Sequence, residues 1–261
     1  MREHHVKSIE NLIEKISKDE NFIALILAGS LAHGTEKEFS DIDAYLVVTE
    51  EDFARRLERN DITYSDTSVC TYKGGYIDGK IIDIGVLRRA VLEASEPMRA
   101  SFRGSRVLWS RNDEVEELVG KIAVFDESKR NEKLISFYSR ALFWLGYFYG
   151  EGVKNKDAYL MTRSVTEGVF YVSRYILEKN SVLFPCHKDL MKSLEEAPDK
   201  PNDYIARAND LLTSHTPEKV ASFLSDFRKY AEYKVSSKEA GSIFIKENEW
   251  NWFLNKNIFD E

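Results

Sequence analysis

Cysteine is scarce in this 261-residue chain: Cys70 and Cys186 stand far apart in unlike surroundings, which excludes a disulfide framework and a multi-cysteine metal site. No apolar run reaches the roughly 18 to 20 residues a membrane span needs, and Met1-Arg-Glu-His-His lacks the basic-then-apolar order of a signal peptide. A soluble, cytoplasmic protein is expected. An excess of positive charge is also missing. The formal net charge is -7 with both signs interspersed, which argues against extended binding to nucleic acid, where many phosphates must be neutralised by a dense basic face. No solenoid repeat and no low-complexity linker interrupts the chain.

What is present is a hydrophobic share of 43%, enough for a substantial core, over a length that suits two domains of ordinary size. Val6, Ile9, Leu12, Ile13 and Ile16 recur at three- and four-residue steps, predicting a helix with one buried stripe over Val6 to Lys18. Phe22 to Ala28 and Asp41 to Thr49 read as strands buried on both faces. Further along, Phe53 to Arg59 reads as a short helix. The stretch 67–76 reads as a strand or hairpin arm, with turns at Gly74-Gly75 and Gly79-Lys80. Lys80 to Leu87 then reads as a strand, Arg88 to Glu96 as a helix, Arg106 to Trp109 as a last strand, and a helix opens at Asn112-Asp113.

Beyond about residue 125 strand signals nearly vanish. Helical periodicity marks Leu134 to Phe148 and Tyr159 to Leu177, then Lys188 to Glu195, Asp203 to Leu212, Pro217 to Tyr233 and Glu239 to Leu254, with Pro185, Pro198, Pro201 and Pro217 near the boundaries. The expected architecture is α+β: a mixed sheet with helices over residues 1–125, followed by an all-α bundle over 126–261.

The chemistry concentrates in the first part. Residues two apart on a strand share a face, so Asp41 and Asp43 present two carboxylates side by side. Such a pair repels itself unless a cation bridges it, and an all-oxygen donor set suits a hard ion such as Mg²⁺. Asp83, alone in Ile81-Ile82-Asp83-Ile84, would complete a three-carboxylate site if its strand lies beside the first. Gly29-Ser30 closes the Phe22 strand, where a glycine lets the backbone approach a phosphate and Ser30 offers a hydroxyl and an amide. The plainer alternatives are a turn cap or an edge-strand face for the aspartates, and a helix N-cap for Ser30, which phosphate binding at a helix start would not contradict.

The order strand, Gly29-Ser30, then Asp41-Ile42-Asp43 eleven residues on, then a solitary strand-borne acid, resembles the DNA polymerase β-like nucleotidyltransferase superfamily; GSLAHGTEKEFSDID carries the match within residues 22 to 87. The added helical domain makes the chain look like the small aminoglycoside and lincosamide nucleotidyltransferases. The resemblance implies that Gly29 and Ser30 bind the triphosphate of ATP or another nucleoside triphosphate. It implies further that Asp41 and Asp43 hold Mg²⁺ and that Asp83 completes the metal site or acts as the general base. The reaction implied is transfer of a nucleoside monophosphate to a hydroxyl of a small molecule such as an antibiotic, with release of pyrophosphate. The helical domain would bind the acceptor or form a homodimer.

Nucleotidylation of a protein partner and a non-catalytic nucleotide-binding module are the alternatives. His33 and Lys37 lie in the segment over the expected phosphates. Arg163, Glu167 and Arg174 fall on one second-domain helix, with Glu167 an alternative base. The rings from Phe137 to Tyr149 are expected in a core with some lining an acceptor pocket. Trp250 and Trp252 are expected to dock the last helix, and His187 to be structural.

Overall fold

The computed structural model describes residues 1–250 apart from residue 234. Its chain divides into two compact units, Met1–Val124 and one that begins at Phe125.

The first unit is built on a five-stranded sheet. Helix α1 (Glu3–Ile16) leads into β1 (Phe22–Leu27), the short helix α2 (Gly29–His33), β2 (Ile42–Val48) and α3 (Glu50–Glu58). Strands β3 (Thr63–Asp66) and β4 (Ile77–Asp83) follow, then α4 (Ile84–Glu93), α5 (Glu96–Ser101), β5 (Arg106–Ser110) and α6 (Glu114–Ile122). The strand order is β3-β4-β2-β1-β5, with β2 and β4 parallel and every other neighbour antiparallel.

Strand alternation sorts the side chains between two buried layers. On one face Leu25, Leu27, Ile42, Leu46, Ile77 and Ile81 pack with Ile9, Leu12 and Ile16 of α1. On the other, Ala24, Ile26, Tyr45, Val47 and Ile82 pack with Leu87 of α4, Phe102, and Val115, Leu118 and Ile122 of α6. Covered on both faces, β1 and β2 must be apolar along nearly their whole length, and they are.

Two expectations are corrected in this region. The strand expected over Lys80 to Leu87 is shifted: β4 starts at Ile77, and Ile84 already lies on α4. Gly79 is not a turn but the middle of β4, opposite Ala44. Residues 67–76 are a loop, and the strand pairing with β4 is the polar segment Thr63–Asp66. Being an edge strand with two exposed residues, it buries too little to carry an apolar signature.

The second unit is helical: α7 (Arg130–Leu142), a π-helical turn (Phe143–Phe148), α8 (Tyr149–Asn155), α9 (Ala158–Lys179), α10 (Leu190–Glu196), α11 (Tyr204–Thr213), α12 (Pro217–Tyr230) and α13 (Ser237–Phe244). Its core gathers Leu134, Tyr138 and Leu145 around Val172, Tyr175 and Ile176 of α9, with Phe223 and Phe227 of α12. The π-helical turn packs closely on α9 at Gly168, where a Cβ would come within 2.3 Å of Leu145 side-chain atoms. His187 lies against Phe170 in a tilted ring contact with centroids 4.8 Å apart, a packing role. Trp250 is exposed, which does not suit the docking role expected of it; Trp252 and the remainder of the helix expected to reach Leu254 lie outside the described residues.

The edge strand β3 is fastened to α1 by an ion pair between the half-exposed Lys15 and the buried Asp66. Lys15 Nζ lies 2.6 Å from Asp66 Oδ2, which also accepts from the Tyr64 hydroxyl at 3.0 Å, while Asp66 Oδ1 accepts from the amide and hydroxyl of Ser68. Burial alone would push this carboxyl up, but the Lys15, Ser68 and Tyr64 donors outweigh it and hold Asp66 at about 2. A depressed carboxylate contributes stability that is complete above its unfolded value near 4 and is lost as the pH falls through about 2. Because Lys15 is half exposed and screened, the contribution is about 1–2 kcal/mol. Urea denaturation at pH 6 and pH 2.5 should therefore show wild type losing about 1–2 kcal/mol more than Asp66→Asn over that interval; equal losses would mean that the pair carries no linkage.

Candidate metal and nucleotide site

At the start of β2 and β4, three acidic side chains come together. Asp41, Asp43 and Asp78 each offer a carboxylate oxygen, and these oxygens lie within 4.8 Å of one another. The cause is the parallel register: Asp43 is the partner of Asp78, as Ile42 is of Ile77. In-register partners share a face, so the two carboxylates stand together on the side where Tyr45 and Val47 are buried further along.

Asp83 is not part of this group, which corrects the expectation. It pairs with Val48 at the other end of β4, five residues or about 16 Å along the strand, and an odd separation turns it to the opposite face. There it caps α4, Oδ1 accepting from the Val86 amide at 2.7 Å. The solitary acid among isoleucines is a helix N-cap, and the third member of the cluster is the exposed Asp78 two residues before Lys80.

Gly29 lies just beyond the end of β1, where its missing side chain is required by Asp43. It follows β1 with φ +62, and a Cβ there would lie 1.9 Å from Asp43 Oδ2. Any side chain would need both a disfavoured backbone and the space of the Asp43 carboxylate. The Ala28 amide donates to the Asp43 carbonyl at 2.9 Å, tying the β1 end to β2; Ala28 is the N-cap of α2 and Gly29 its first residue, so Ser30 is the second residue of the helix and not its cap. His33 and Lys37 are both exposed. His33 Nε2 bonds the Arg103 carbonyl, and the Lys37 amide donates to Ser40 Oγ at 2.9 Å.

The segment 34–40 that delivers Asp41 is anchored from α1 and from the loop before β4. His4 Nε2 reaches the Glu38 carbonyl at 2.8 Å, and the Ser40 carbonyl accepts from Tyr72 at 2.7 Å and from His5 Nε2 at 3.2 Å. Burial and the adjacent His4 push His5 below its ordinary value, so its neutral ring donates through Nε2. Burial pushes the Tyr72 hydroxyl up to about 12, so it too remains a donor. Tyr76 donates to Asp41 Oδ2 at 2.8 Å; that hydrogen bond and the Asp41 charge, with Asp78 and Asp43 adding, raise the Tyr76 hydroxyl above its ordinary value. Neither the histidines nor Tyr72 and Tyr76 were legible as site residues, because nothing local in the sequence ties them to Asp41.

Three carboxylates with an exposed edge form an all-oxygen donor set. That set fits a hard divalent cation, and the missing side chain of the glycine beside it is what leaves room for the Asp43 carboxylate. In the second unit, Glu167 pairs with Arg163 one turn earlier on α9, Nε to Oε1 2.9 Å. Arg174 lies against the rings of Phe137, Phe170 and Phe184.

No protein-family model matches the chain, and no curated protein matches it. Among solved structures it is similar to a nucleotidyltransferase-like protein from Exiguobacterium sibiricum 255-15, at 12% identity over 93% of this chain and 79% of that one, with a TM-score of 0.51. At that identity the likeness is one of fold: the chain has the α+β architecture of a nucleotidyltransferase-like protein, a mixed five-stranded sheet with helices followed by a helical region.

Proposed function

We propose that the protein transfers a nucleoside monophosphate from a nucleoside triphosphate, ATP by default, to a hydroxyl of a small molecule, releasing pyrophosphate. The observation that carries this reading is the Asp41, Asp43 and Asp78 cluster set against Gly29 at one end of a nucleotidyltransferase-like sheet. Asp41, Asp43 and Asp78 would hold Mg²⁺. When bound, the ion neutralises charge on the α-phosphoryl group and the leaving pyrophosphate.

The chain's own residues supply the rest. Gly29 and Ser30 receive the β- and γ-phosphates through backbone amides and the Ser30 hydroxyl. Asp78, the most exposed of the three acids, takes the proton of the acceptor hydroxyl as its oxygen bonds to the α-phosphorus and the bond to the pyrophosphate oxygen breaks. Tyr76, Tyr72 and His5 position Asp41 and the peptide before it, so that orientation is established before substrate arrives.

Calorimetric titration with a nonhydrolysable ATP analogue should show binding that requires Mg²⁺. Asp43→Asn and Asp78→Asn should each weaken it by at least ~100-fold while leaving the melting temperature unchanged or raised, since each removes a like-charge repulsion. Absence of Mg²⁺-dependent binding of any nucleoside triphosphate in the wild type would sink the reading.

Asp83→Ala separates the two candidate third acids. Loss of the cap should lower stability by about 1 kcal/mol with Mg²⁺–ATP-analogue affinity intact. A variant that instead loses nucleotide binding would restore Asp83 to the site.

Gly29→Ala should displace the Asp43 carboxylate and cost about 1–2 kcal/mol of stability, because the added methyl clashes with that carboxylate and sits on a left-handed backbone that a side chain disfavours. Metal-dependent binding should fall with it; a Gly29→Ala protein that binds as wild type would show that the tight approach to Asp43 has no role.

A further inference from the structure

Across the sheet, on the face that carries the acids, the order of side chains from β1 outwards is Gly29, Asp43, Asp78 and then Ser65 of the edge strand, because Asp78 pairs with Ser65 as well as with Asp43. Two residues further along, Tyr45, Lys80 and Thr63 form the next row. Tyr45 is buried, stacked on Phe102 at 4.5 Å with its hydroxyl 2.7 Å from Ser101 Oγ, so it is a fixed floor. Lys80 is exposed, and its ammonium sits 5.6 Å from the Tyr45 ring centre. Among the described residues it forms no ion pair, although Asp78 lies only two residues away, about 6.6 Å along the strand. Thr63 and Ser65 beside it are also exposed and present hydroxyls on the same face.

In an in-line displacement the attacking and leaving oxygens lie on opposite sides of the phosphorus. With the leaving phosphates on the Gly29–Ser30 side, the acceptor approaches from the far side of Asp78, over β4 and β3. The groups waiting there are one ammonium and two hydroxyls: the ammonium attracts a negative group and repels a protonated amine, and the hydroxyls can donate to the anion. We propose that Lys80, Thr63 and Ser65 form the acceptor subsite, and that the acceptor is a small hydroxylated molecule bearing an anionic group, a phosphate ester or a carboxylate, close to the hydroxyl that is modified. This rests on the nucleotidyl-transfer reading above and narrows its substrate class, away from polycationic sugars.

The test is calorimetric titration of four hexose probes into protein already saturated with Mg²⁺ and a nonhydrolysable ATP analogue: glucose 6-phosphate, glucuronate, glucose and glucosamine. One of the two acids is expected to bind about tenfold or more tightly than glucose, and glucosamine no better than glucose; which acid prevails tells phosphate ester from carboxylate. In Lys80→Met that preference disappears with ATP-analogue affinity unchanged, in Lys80→Arg it survives, and in Lys80→Glu it turns towards glucosamine. Lys80 is exposed, so all three variants are expected to melt with the wild type. Acids that bind no better than glucose, or a preference that persists in Lys80→Met, would overturn the inference while leaving nucleotidyl transfer standing. A tenfold loss of ATP-analogue affinity in Lys80→Met would overturn it by making Lys80 a triphosphate contact. Wild-type protein that binds no nucleotide at all would bring down both.

Discussion

The parallel register of β2 on β4 is the constraint on which the site depends. Seven consecutive pairs run from Ile42 on Ile77 to Val48 on Asp83. Their apolar members Ile42, Leu46, Ile77 and Ile81 are buried against α1, while Tyr45, Val47 and Ile82 are buried on the other side. A slip of one residue would turn every one of these side chains to the wrong face, so the register is held by two cores at once. Asp43 beside Asp78 is thus a by-product of packing that happens elsewhere. Hydrophobic burial along the strands offsets the repulsion of like charges gathered at one end of them.

Around that register the structure removes freedom from each acid in turn. Asp43 is confined by Gly29, which brings β1 to within a methyl group's width, and by the Ala28 amide on its carbonyl. Asp41 lies just outside the ladder, and its place is held by Tyr76 on its carboxylate and by Tyr72 and His5 on the preceding carbonyl. Only Asp78 is exposed, and it borders the polar row of β3 and β4. Two restrained acids and one open one is an asymmetry suited to a site in which two groups hold and the third also exchanges a proton.

The second unit has its own core and its own close approach, Leu145 of the π-helical turn against Gly168 of α9. Its aromatic abundance is mostly internal: Tyr138, Tyr149, Tyr175 and Phe227 are buried, and Phe143 stacks on Phe244 at 4.7 Å. Tyr147 is exposed at the same turn, so the run of rings serves both packing and surface.

Much of this was open to reading from the chain itself. Strongly periodic or uniformly apolar segments, α1, β1, β2 and α9 among them, declare themselves because burial on one stripe or on both faces dictates composition. Gly29, Asp41 and Asp43 declare themselves because a glycine and two aspartates against apolar strands contradict local preference and so call for another reason. The third acid could not be chosen that way. Asp78 and Asp83 lie on the same strand, and Asp83, flanked by isoleucines, carries the louder local signal although it only caps a helix. Which of the two meets Asp43 depends on the register between strands separated by about 30 residues of chain, and register is a property of pairing, not of either segment. The same holds for His5, Tyr72, Tyr76 and Lys80, whose neighbours come from other elements. The sequence determined which segments are buried and where charge is paradoxical; the tertiary structure alone decided which charges share a face, because that is settled by long-range packing.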